Sequence, residues 1–263
     1  MINCLVINLA DQVARMGFMA AQLKQMGLAF ARIEAVKSEA ASAARSKTYW
    51  QSWERPLKDA ECACLLSHMS AWQRVADAGT PMLILEDDAI LSTHIPEVLS
   101  AANALNGIDH LTFETRCRRK ILARRPTGTV AGHGIFRLYQ DRSGAAAYLL
   151  WPAGAKKLLD NASRSAGLAD AVICRTYELF SYQLDPAGAV QIDCASNYGI
   201  TPPIQTHSAI SAAPEATGNL RAPGFRMRRI GAQLTMGFRL LSHPLAKRQE
   251  INVVPEDFIL DRH

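Results

Sequence analysis

The start of the chain alternates short apolar runs with longer segments whose apolar residues recur at helical spacing. Residues 2–8 and 29–36 are apolar runs that predict two strands. Residues 11–26 lie between them with a helical pattern, and Gly27 follows as a helix terminator. A strand, a helix and a second strand in this order predict parallel pairing with a right-handed crossover.

The same pattern continues through the middle of the chain. Residues 57–76 predict a long helix, since Leu65, Met69 and Trp72 fall on one face. Residues 82–85 predict a short buried strand. We also predict helices over 95–105 and 152–161, a strand over 109–113, and two strands over 135–139 and 145–150 that pair across 140–144. Residues 38–52 and 195–224 show no clear period and predict loops.

Apolar and basic positions combine in the last part of the chain. Met227, Ile230, Leu234, Phe238 and Leu241 mark one face of a helix, with arginines at 226, 228, 229 and 239 beside them. This combination is typical of a helix that lies on an anionic membrane surface. The alternative is that the apolar face packs against the rest of the protein and leaves the arginines in solvent.

An acidic triplet, Glu86-Asp87-Asp88, directly follows the strand predicted over 82–85. Ligands of open α/β sheets bind beyond the carboxyl ends of the strands. Adjacent carboxylates repel each other there, and a hard divalent cation with oxygen ligands removes that repulsion. A cation that also holds a diphosphate suggests a nucleotide substrate. The plain alternative is a solvated acidic loop.

Composition narrows the class of protein. Of 263 residues, 49% are hydrophobic, which is enough for one large α/β domain with a helical appendage. No apolar run is long enough to span a membrane, and residues 1–8 make a poor signal peptide. The six scattered cysteines indicate reduced thiols in a cytoplasmic protein. The net charge of +5 is concentrated in residues 116–125 and in the C-terminal part, which suits phosphate or anionic lipid. We expect no nucleic-acid partner, because aromatic residues do not interleave with the basic ones.

Four blocks of residues, taken in order, resemble glycosyltransferase family 25, the bacterial lipooligosaccharide galactosyltransferase family. They are Val6-Ile7-Asn8-Leu9 with Asp11, Arg15 and Glu34-Ala35-Val36, then Leu57 to His68, then Leu83 to Asp88, then Gly144 to Leu150 with Gly154 to Leu159. The resemblance implies a GT-A-like nucleotide-diphospho-sugar transferase fold with a mostly parallel central sheet flanked by helices. We expect a catalytic domain over 1–222 and a basic helical extension over 223–263.

The resemblance also implies an activity. It is an inverting transfer, typically of galactose from UDP-galactose, to a saccharide or lipid-linked saccharide acceptor of lipooligosaccharide or a related surface glycan, with Mn²⁺ (or Mg²⁺). We place the enzyme in the cytoplasm, on the inner face of the cytoplasmic membrane. The sequence departs from the family pattern at Ala10, Ala63 and residues 168–172. These departures keep open an alternative, a catalytically degenerate assembly subunit at the membrane. A nucleotidyltransferase would use similar acids, but no glycine-rich phosphate loop precedes them.

Most candidate site residues lie in the matched blocks, and Asp170, Glu178 and His207 come after them. Asp88 is the first candidate for metal binding, Asp87 the second, and His207 a third from a later loop. Asp170 is the candidate general base and Glu178 its reserve, because an inverting transfer needs a carboxylate to take the acceptor proton. The donor nucleotide is assigned to Asn8, Asp11, Arg15, Val36, Ser67, His68, Glu86 and Asp87.

Several of these residues have an ordinary structural alternative. His68 fits a hydrogen-bonded core histidine, and Asp170 fits a helix cap. Asp11 and Arg15 fit a surface ion pair one turn apart. His207 fits an ordinary surface residue.

Overall fold

A computed structural model describes residues 2–141, 144–205 and 223–258. The strands are β1 (Asn3–Asn8), β2 (Phe30–Glu34), β3 (Met82–Glu86), β4 (Ala89–Leu91), β5 (His110–Thr112), β6 (Lys120–Leu122), β7 (Gly128–Val130), β8 (His133–Gln140), β9 (Ala147–Leu150), β10 (Ser181–Asp185), β11 (Ala189–Gln191) and β12 (Lys247–Gln249). The helices are α1 (Val13–Gln25), α2 (Ser38–Ala41), α3 (Lys47–Trp50), α4 (Asp59–Ala78), α5 (Ile95–Ala102), α6 (Pro152–Arg164), α7 (Ala169–Arg175) and α8 (Pro223–Leu241). Short 3₁₀ turns cover Ser42–Ala44, Ile192–Tyr198 and Pro255–Phe258.

A large central sheet runs in the order β12-β6-β8-β10-β5-β9-β3-β1-β2, with β7 on β8, and β4 and β11 form a separate pair. The predicted parallel pairing of β1 with β2 is confirmed. A mostly parallel sheet is wrong, because only three of the nine pairings within the described part of this sheet are parallel. The reason is local: β9 lies antiparallel between β3 and β5, and β8 pairs antiparallel with every strand it touches.

The pairing predicted between the strands near 135–139 and 145–150 is also wrong. Both strands exist, but β8 pairs with β6, β7 and β10, whereas β9 pairs with β3 and β5. Every residue of β9 is buried, while β8 alternates between buried and half-buried positions. A fully apolar strand is most stable with a neighbour on each side in the middle of a sheet, so β9 takes the central place.

Helices cover both faces of the sheet. Along β3, Leu83 and Leu85 pack with α1 and α5 on one face. Ile84 packs with α4 and α6 on the other face, around the fully buried Trp72. Alternate strand residues point to opposite faces, so this one apolar run contributes to two cores.

The segment predicted as a loop over 38–52 instead forms α2, a 3₁₀ turn and α3. Its small helices bury Ala41 and Trp50 against the α4 side of the core. Ser46 caps α3 by accepting a hydrogen bond from the Tyr49 backbone N–H at 3.2 Å. Elements of four residues are too short to show a hydrophobic period in the sequence, which is why the pattern missed them.

The C-terminal part returns to the sheet after α8. β12 pairs antiparallel with β6 at the edge of the sheet, Ile251 packs with Leu122 and Leu138, and Phe258 packs with Ile90 and Val190. Residues 247–258 are therefore part of the main body of the protein. Among the described residues, no helix is both long and apolar enough to cross a membrane.

Candidate functional site

A cavity of about 290 Å³ opens where the carboxyl ends of β1 and β3 meet α4 and α7. Asn8 comes from β1, the acidic triplet from the end of β3, and Arg15 from the first turn of α1. Ser67 and His68 come from α4 and Asp170 from α7. Val36, just after β2, also lines the cavity. Nine of the sequence-derived candidates therefore share one cavity, with β1 and β3 paired in parallel beside it.

Asp87 is held by two protein donors. Asn8 Nδ2 donates to Asp87 Oδ2 at 2.7 Å, and Arg15 Nη1 donates to Asp87 Oδ1 at 2.9 Å. Burial raises the pKa of the Asp87 carboxyl, although these two donors oppose the rise. Each oxygen of Asp87 therefore already accepts one hydrogen bond from the protein. The Arg15 side chain connects α1 to the triplet through its contact with Asp87.

A chain of hydrogen bonds connects the core to Glu86. Trp72 Nε1 donates to the Tyr148 hydroxyl at 2.7 Å, and that hydroxyl lies 2.9 Å from His68 Nδ1. A hydroxyl can accept from the indole N–H and donate to Nδ1 at the same time, and in that tautomer His68 carries its proton on Nε2, facing Glu86. Nε2 then donates to Glu86 Oε1 at 3.0 Å, and Gln191 Nε2 donates to Glu86 Oε2 at 3.1 Å. His68 is thus a core histidine that also fixes a cavity carboxylate.

Asp88 differs from its two neighbours. Its Oδ1 atom is buried and has no hydrogen-bond partner within the described chain. Burial, with the charges of Glu86 and Asp87, raises the pKa of Asp88 to about 7. Its backbone carbonyl accepts from the Ile192 N–H at 2.9 Å, which ties the triplet to the segment after β11. A buried carboxylate oxygen without a donor is the type of group that a cation satisfies.

Asp170 begins α7 and faces the cavity. Its Oδ1 accepts from the neighbouring Ala171 N–H at 2.7 Å. The alternative of a helix cap is wrong, because Leu168 holds the cap position and no side chain caps α7. Loss of solvation by burial is the main cause that raises the pKa of Asp170 to about 6. A pKa near neutrality suits a group that must take and release a proton.

Ser67 has a positioning contact. Its hydroxyl accepts from the Val36 N–H at 2.9 Å and donates to the Ala63 carbonyl at 2.7 Å. The hydroxyl therefore holds the end of β2 against α4, and this places the Val36 backbone at the cavity wall.

Two candidates lie outside the cavity. Asp11 is exposed in the turn before α1, because the helix begins two residues later than the sequence pattern suggested. Glu178 is exposed in the turn between α7 and β10, and its backbone carbonyl accepts from Lys157 Nζ at 3.1 Å. His207 lies outside the described residues.

Comparison with known proteins identifies the family. A model of glycosyltransferase family 25 (LPS biosynthesis protein) matches residues 1–173, which is well over half of the chain. This chain belongs to glycosyltransferase family 25. Membership supports a transferase that moves glycosyl groups. No match was found among curated proteins.

Two solved structures resemble the chain at low identity. One is a mutant of Drosophila β-1,4-galactosyltransferase 7 in complex with manganese, UDP-Gal and xylobiose, at 10% identity over 82% of this chain and 80% of that chain, with a TM-score of 0.38. The other is the inositol-1-phosphate CTP transferase of T. maritima, at 10% identity over 80% and 74%, with a TM-score of 0.37. At TM-scores this low, neither similarity carries an argument about this family 25 protein.

Several cavity residues were not among the candidates from the sequence, among them Cys64, Arg116, Gln191 and Asp193. Cys64 was inside a matched block but was classed as a core thiol. Arg116 belongs to the basic tract, residues 116–125. Its guanidinium donates to Gln191 and Asp193. Gln191 and Asp193 lie beyond the family match, and no motif marks them. They lie at and just after the end of β11, a strand that the sequence analysis did not predict.

The basic tract itself is divided between two environments. Lys120 is buried, and its Nζ contacts Asp141 at 2.5 Å, Gln183 Oε1 at 2.6 Å and the Glu114 carbonyl at 2.7 Å. Arg116 turns into the family 25 cavity, whereas Arg118 and Arg119 are exposed. The tract is therefore partly structural and is not one continuous basic surface.

Proposed function

We propose that this family 25 protein is a metal-dependent, inverting hexosyltransferase on a GT-A-type fold. It transfers galactose from UDP-galactose to a saccharide acceptor of lipooligosaccharide or a related surface glycan. The observation that carries the proposal is Asp88, whose buried oxygen has no hydrogen-bond partner among the described residues, in a cavity that also contains Glu86, Arg15 and Asp170. The donor and acceptor follow from the family resemblance.

The residues of the cavity fit a hard divalent cation, Mn²⁺ or Mg²⁺. Asp88 would hold it, since its free carboxylate oxygen is the ligand type that such ions prefer. Asp193 lies close enough to add its negative charge to the causes that raise the pKa of Asp88, and it is a further candidate ligand. When bound, the ion supplies positive charge that stabilises the departing diphosphate.

Side chains of the protein would bind the diphosphate, accept the acceptor proton and position the nucleotide site. Arg15 and Arg116 offer planar, permanently charged donors at the cavity wall for a diphosphate. Asp170 would take the proton from the acceptor hydroxyl as its oxygen attacks the anomeric carbon opposite the leaving group. Ser67 and His68 would hold the Val36 backbone and the Glu86 carboxylate in place for the nucleotide.

Donor binding is the first test. Calorimetry should show UDP-galactose binding that requires Mn²⁺ and that is lost in Asp88→Ala. Asp160→Ala, which removes an exposed acid of α6 outside the cavity, is the matched control and should bind normally. Unchanged affinity in Asp88→Ala, or in EDTA, would refute the metal assignment.

Transfer is the second test. Asp170→Asn should keep donor affinity while transfer falls by roughly 10²–10⁴-fold, the usual scale for a positioned base. Glu178→Gln should transfer at a near-normal rate, because the structure places Glu178 in solvent away from the cavity. A near-normal rate in Asp170→Asn would show that Asp170 has only a structural role. A wild-type protein that binds no donor and transfers no sugar would favour the degenerate assembly subunit.

We also place the enzyme on the inner face of the cytoplasmic membrane, where a lipid-linked acceptor would be. The apolar stripe of α8 faces away from the protein body: Met227 is 67% exposed, Leu234 58% and Phe238 70%. The opposite side attaches the helix, since Arg228 Nε donates to the Trp53 carbonyl at 3.0 Å and Arg239 stacks on Tyr177 at 4.5 Å. This arrangement differs from the alternative, in which the apolar stripe of α8 packs against the rest of the protein and the arginines face solvent.

An anionic bilayer is the occupant that suits this surface. Arg226 and Arg229 are exposed beside the stripe, and each basic residue near an anionic surface contributes about 1 kcal/mol. Full-length protein should sediment with anionic vesicles at low salt but not with neutral ones. Leu234→Glu should abolish this, and Gln233→Glu, an exposed position beside the stripe, should only weaken it. Equal sedimentation of both variants, or none by the wild type, would refute membrane docking. A dimer that depends on the stripe would show that a second copy of the chain covers the stripe instead of a membrane.

A further inference from the structure

Cys64, His68 and Glu86 meet at one wall of the cavity. Cys64 and His68 lie four residues apart on α4, so they share a face of the helix, and Glu86 ends β3 opposite them. The sulfur, ring nitrogen and carboxylate oxygen all lie within 4.8 Å of one another. We propose that these three side chains bind a borderline-soft divalent transition metal of the Zn²⁺ class, at a site separate from the hard-cation site proposed at Asp88.

Ligand chemistry separates the two sites. A thiolate and an imidazole select Zn²⁺, Co²⁺ or Cd²⁺, whereas carboxylate oxygens alone suit Mn²⁺ and Mg²⁺. Three protein ligands leave the fourth position of a tetrahedral ion open to water. Two ligands at Zn–N and Zn–O distances of about 2.1 Å lie roughly 3.4 Å apart in a tetrahedron, and His68 Nε2 already lies 3.0 Å from Glu86 Oε1.

The surroundings of His68 supply what a metal-bound histidine needs. Its second nitrogen faces the Tyr148 hydroxyl, which Trp72 fixes in turn, and such outer contacts orient metal-binding rings. On binding, the Cys64 thiol releases its proton to solvent. The His68 proton changes from Nε2 to Nδ1, where it is donated to the second lone pair of the Tyr148 oxygen beside the Trp72 N–H, and the Tyr148 hydroxyl keeps its own proton, turned away from Nδ1.

The local charge also favours a cation. Burial, then the negative charges of Glu86, Asp170 and Asp88, raise the pKa of the Cys64 thiol well above its usual value. The same negative field that opposes a thiolate attracts a divalent ion, whose own charge then stabilises the thiolate. The pocket is therefore better suited to a metal thiolate than to a free reactive thiol.

A metal bound at this site would affect donor binding. This expectation rests on the proposed function. A metal on His68 and Glu86 replaces the hydrogen bond between them and fills part of the donor cavity. We therefore expect Zn²⁺ to compete with UDP-galactose, whereas Mn²⁺ promotes its binding.

The direct test uses metal-free full-length protein titrated with Co²⁺ as the spectroscopic probe. A thiolate-to-cobalt charge-transfer band should appear in the near ultraviolet with one Co²⁺ per chain. Cys64→Ser should lose the band. Cys62→Ser is the matched control, because Cys62 lies on the same helix but packs in the core, and it should keep the band. Asp88→Ala should keep it as well.

Each outcome of the cobalt titration either supports or overturns the proposal. Absence of the band, its retention in Cys64→Ser or its loss in Asp88→Ala would overturn the proposal. If Cys64→Ser does not fold, zinc X-ray absorption of the wild type decides: one sulfur ligand at about 2.3 Å supports the site, and oxygen and nitrogen ligands alone refute it. Neither the cobalt band nor the X-ray absorption spectrum depends on UDP-galactose. The result for this metal site can therefore be distinguished from a failure of the proposed transferase function.

Discussion

Replacement of Arg15 by methionine tests the central contact of the cavity. The Arg15–Asp87 pair is buried, with side-chain exposures of 10% and 11%. Removing one partner of a buried ion pair typically costs about 3–5 kcal/mol, because the other charge stays buried without compensation. We expect Arg15→Met to lower the free energy of unfolding by an amount in this range at pH 7.5.

The loss should depend on pH in a definite direction. Burial already raises the folded-state pKa of Asp87, so the folded protein binds more protons than the unfolded chain above the unfolded pKa of about 3.9. Stability therefore falls as pH rises toward the folded pKa. Without Arg15 the folded pKa is higher still, so the window widens. The deficit of Arg15→Met should grow with pH by at most about 1.4 kcal/mol per pH unit.

Urea denaturation at pH 5 and pH 7.5 measures both quantities. Adding Asp87→Asn to Arg15→Met should recover much of the loss at pH 7.5, since the amide oxygen still accepts from Asn8 without a buried charge. Arg164→Met, which removes an exposed ion pair with Asp160, is the control and should show no measurable loss. A deficit that is equal at the two pH values, or a double variant no more stable than Arg15→Met, would show that Asp87 is not a buried, Arg15-compensated charge.

Three further outcomes follow from the packing and the pKa values. Tyr148→Phe leaves the Trp72 N–H without its acceptor and should cost about 1–3 kcal/mol in urea denaturation; an unchanged midpoint would contradict the hydrogen-bond chain. Gly154→Ala should cost about 1–3 kcal/mol, because the added Cβ would lie 2.4 Å from the Asp109 carbonyl; a stability gain typical of a helical alanine would show that α6 lies farther from β5. The transfer rate should rise with pH through about 6 as Asp170 loses its proton, and this limb should disappear in Asp170→Asn.

Prediction from sequence succeeded where one segment determines its own structure. β1, α1, β2, α4 and β3 each carry an apolar period long enough to identify them. The rule about strand ends placed the triplet at a ligand-binding edge, and the family resemblance assigned Asn8 to the same donor site. Pairing between distant strands was beyond this reasoning, because nothing local to β8 or β9 specifies which neighbour each one takes. The mostly parallel sheet failed for that reason.

The missed cavity residues show the same limit. Gln191 holds Glu86 across 105 positions of sequence, and Asp193 reaches the cavity only because β11 pairs with β4, directly after the triplet. A sequence pattern reports composition near one point of the chain. It does not report which later segment the fold returns to that point.

The acidic triplet shows why residue type alone does not assign a role. Consecutive side chains at the end of a strand point to different sides, and each acid of the triplet consequently has different contacts. Glu86 contacts His68 on α4 and Asp87 contacts Arg15 on α1. Asp88 alone keeps a buried oxygen free of partners within the described chain. The sequence placed three equivalent charges at a ligand-binding edge, and the helices on the two faces of the sheet make them unequal. Asp88 is therefore the acid on which the metal test depends.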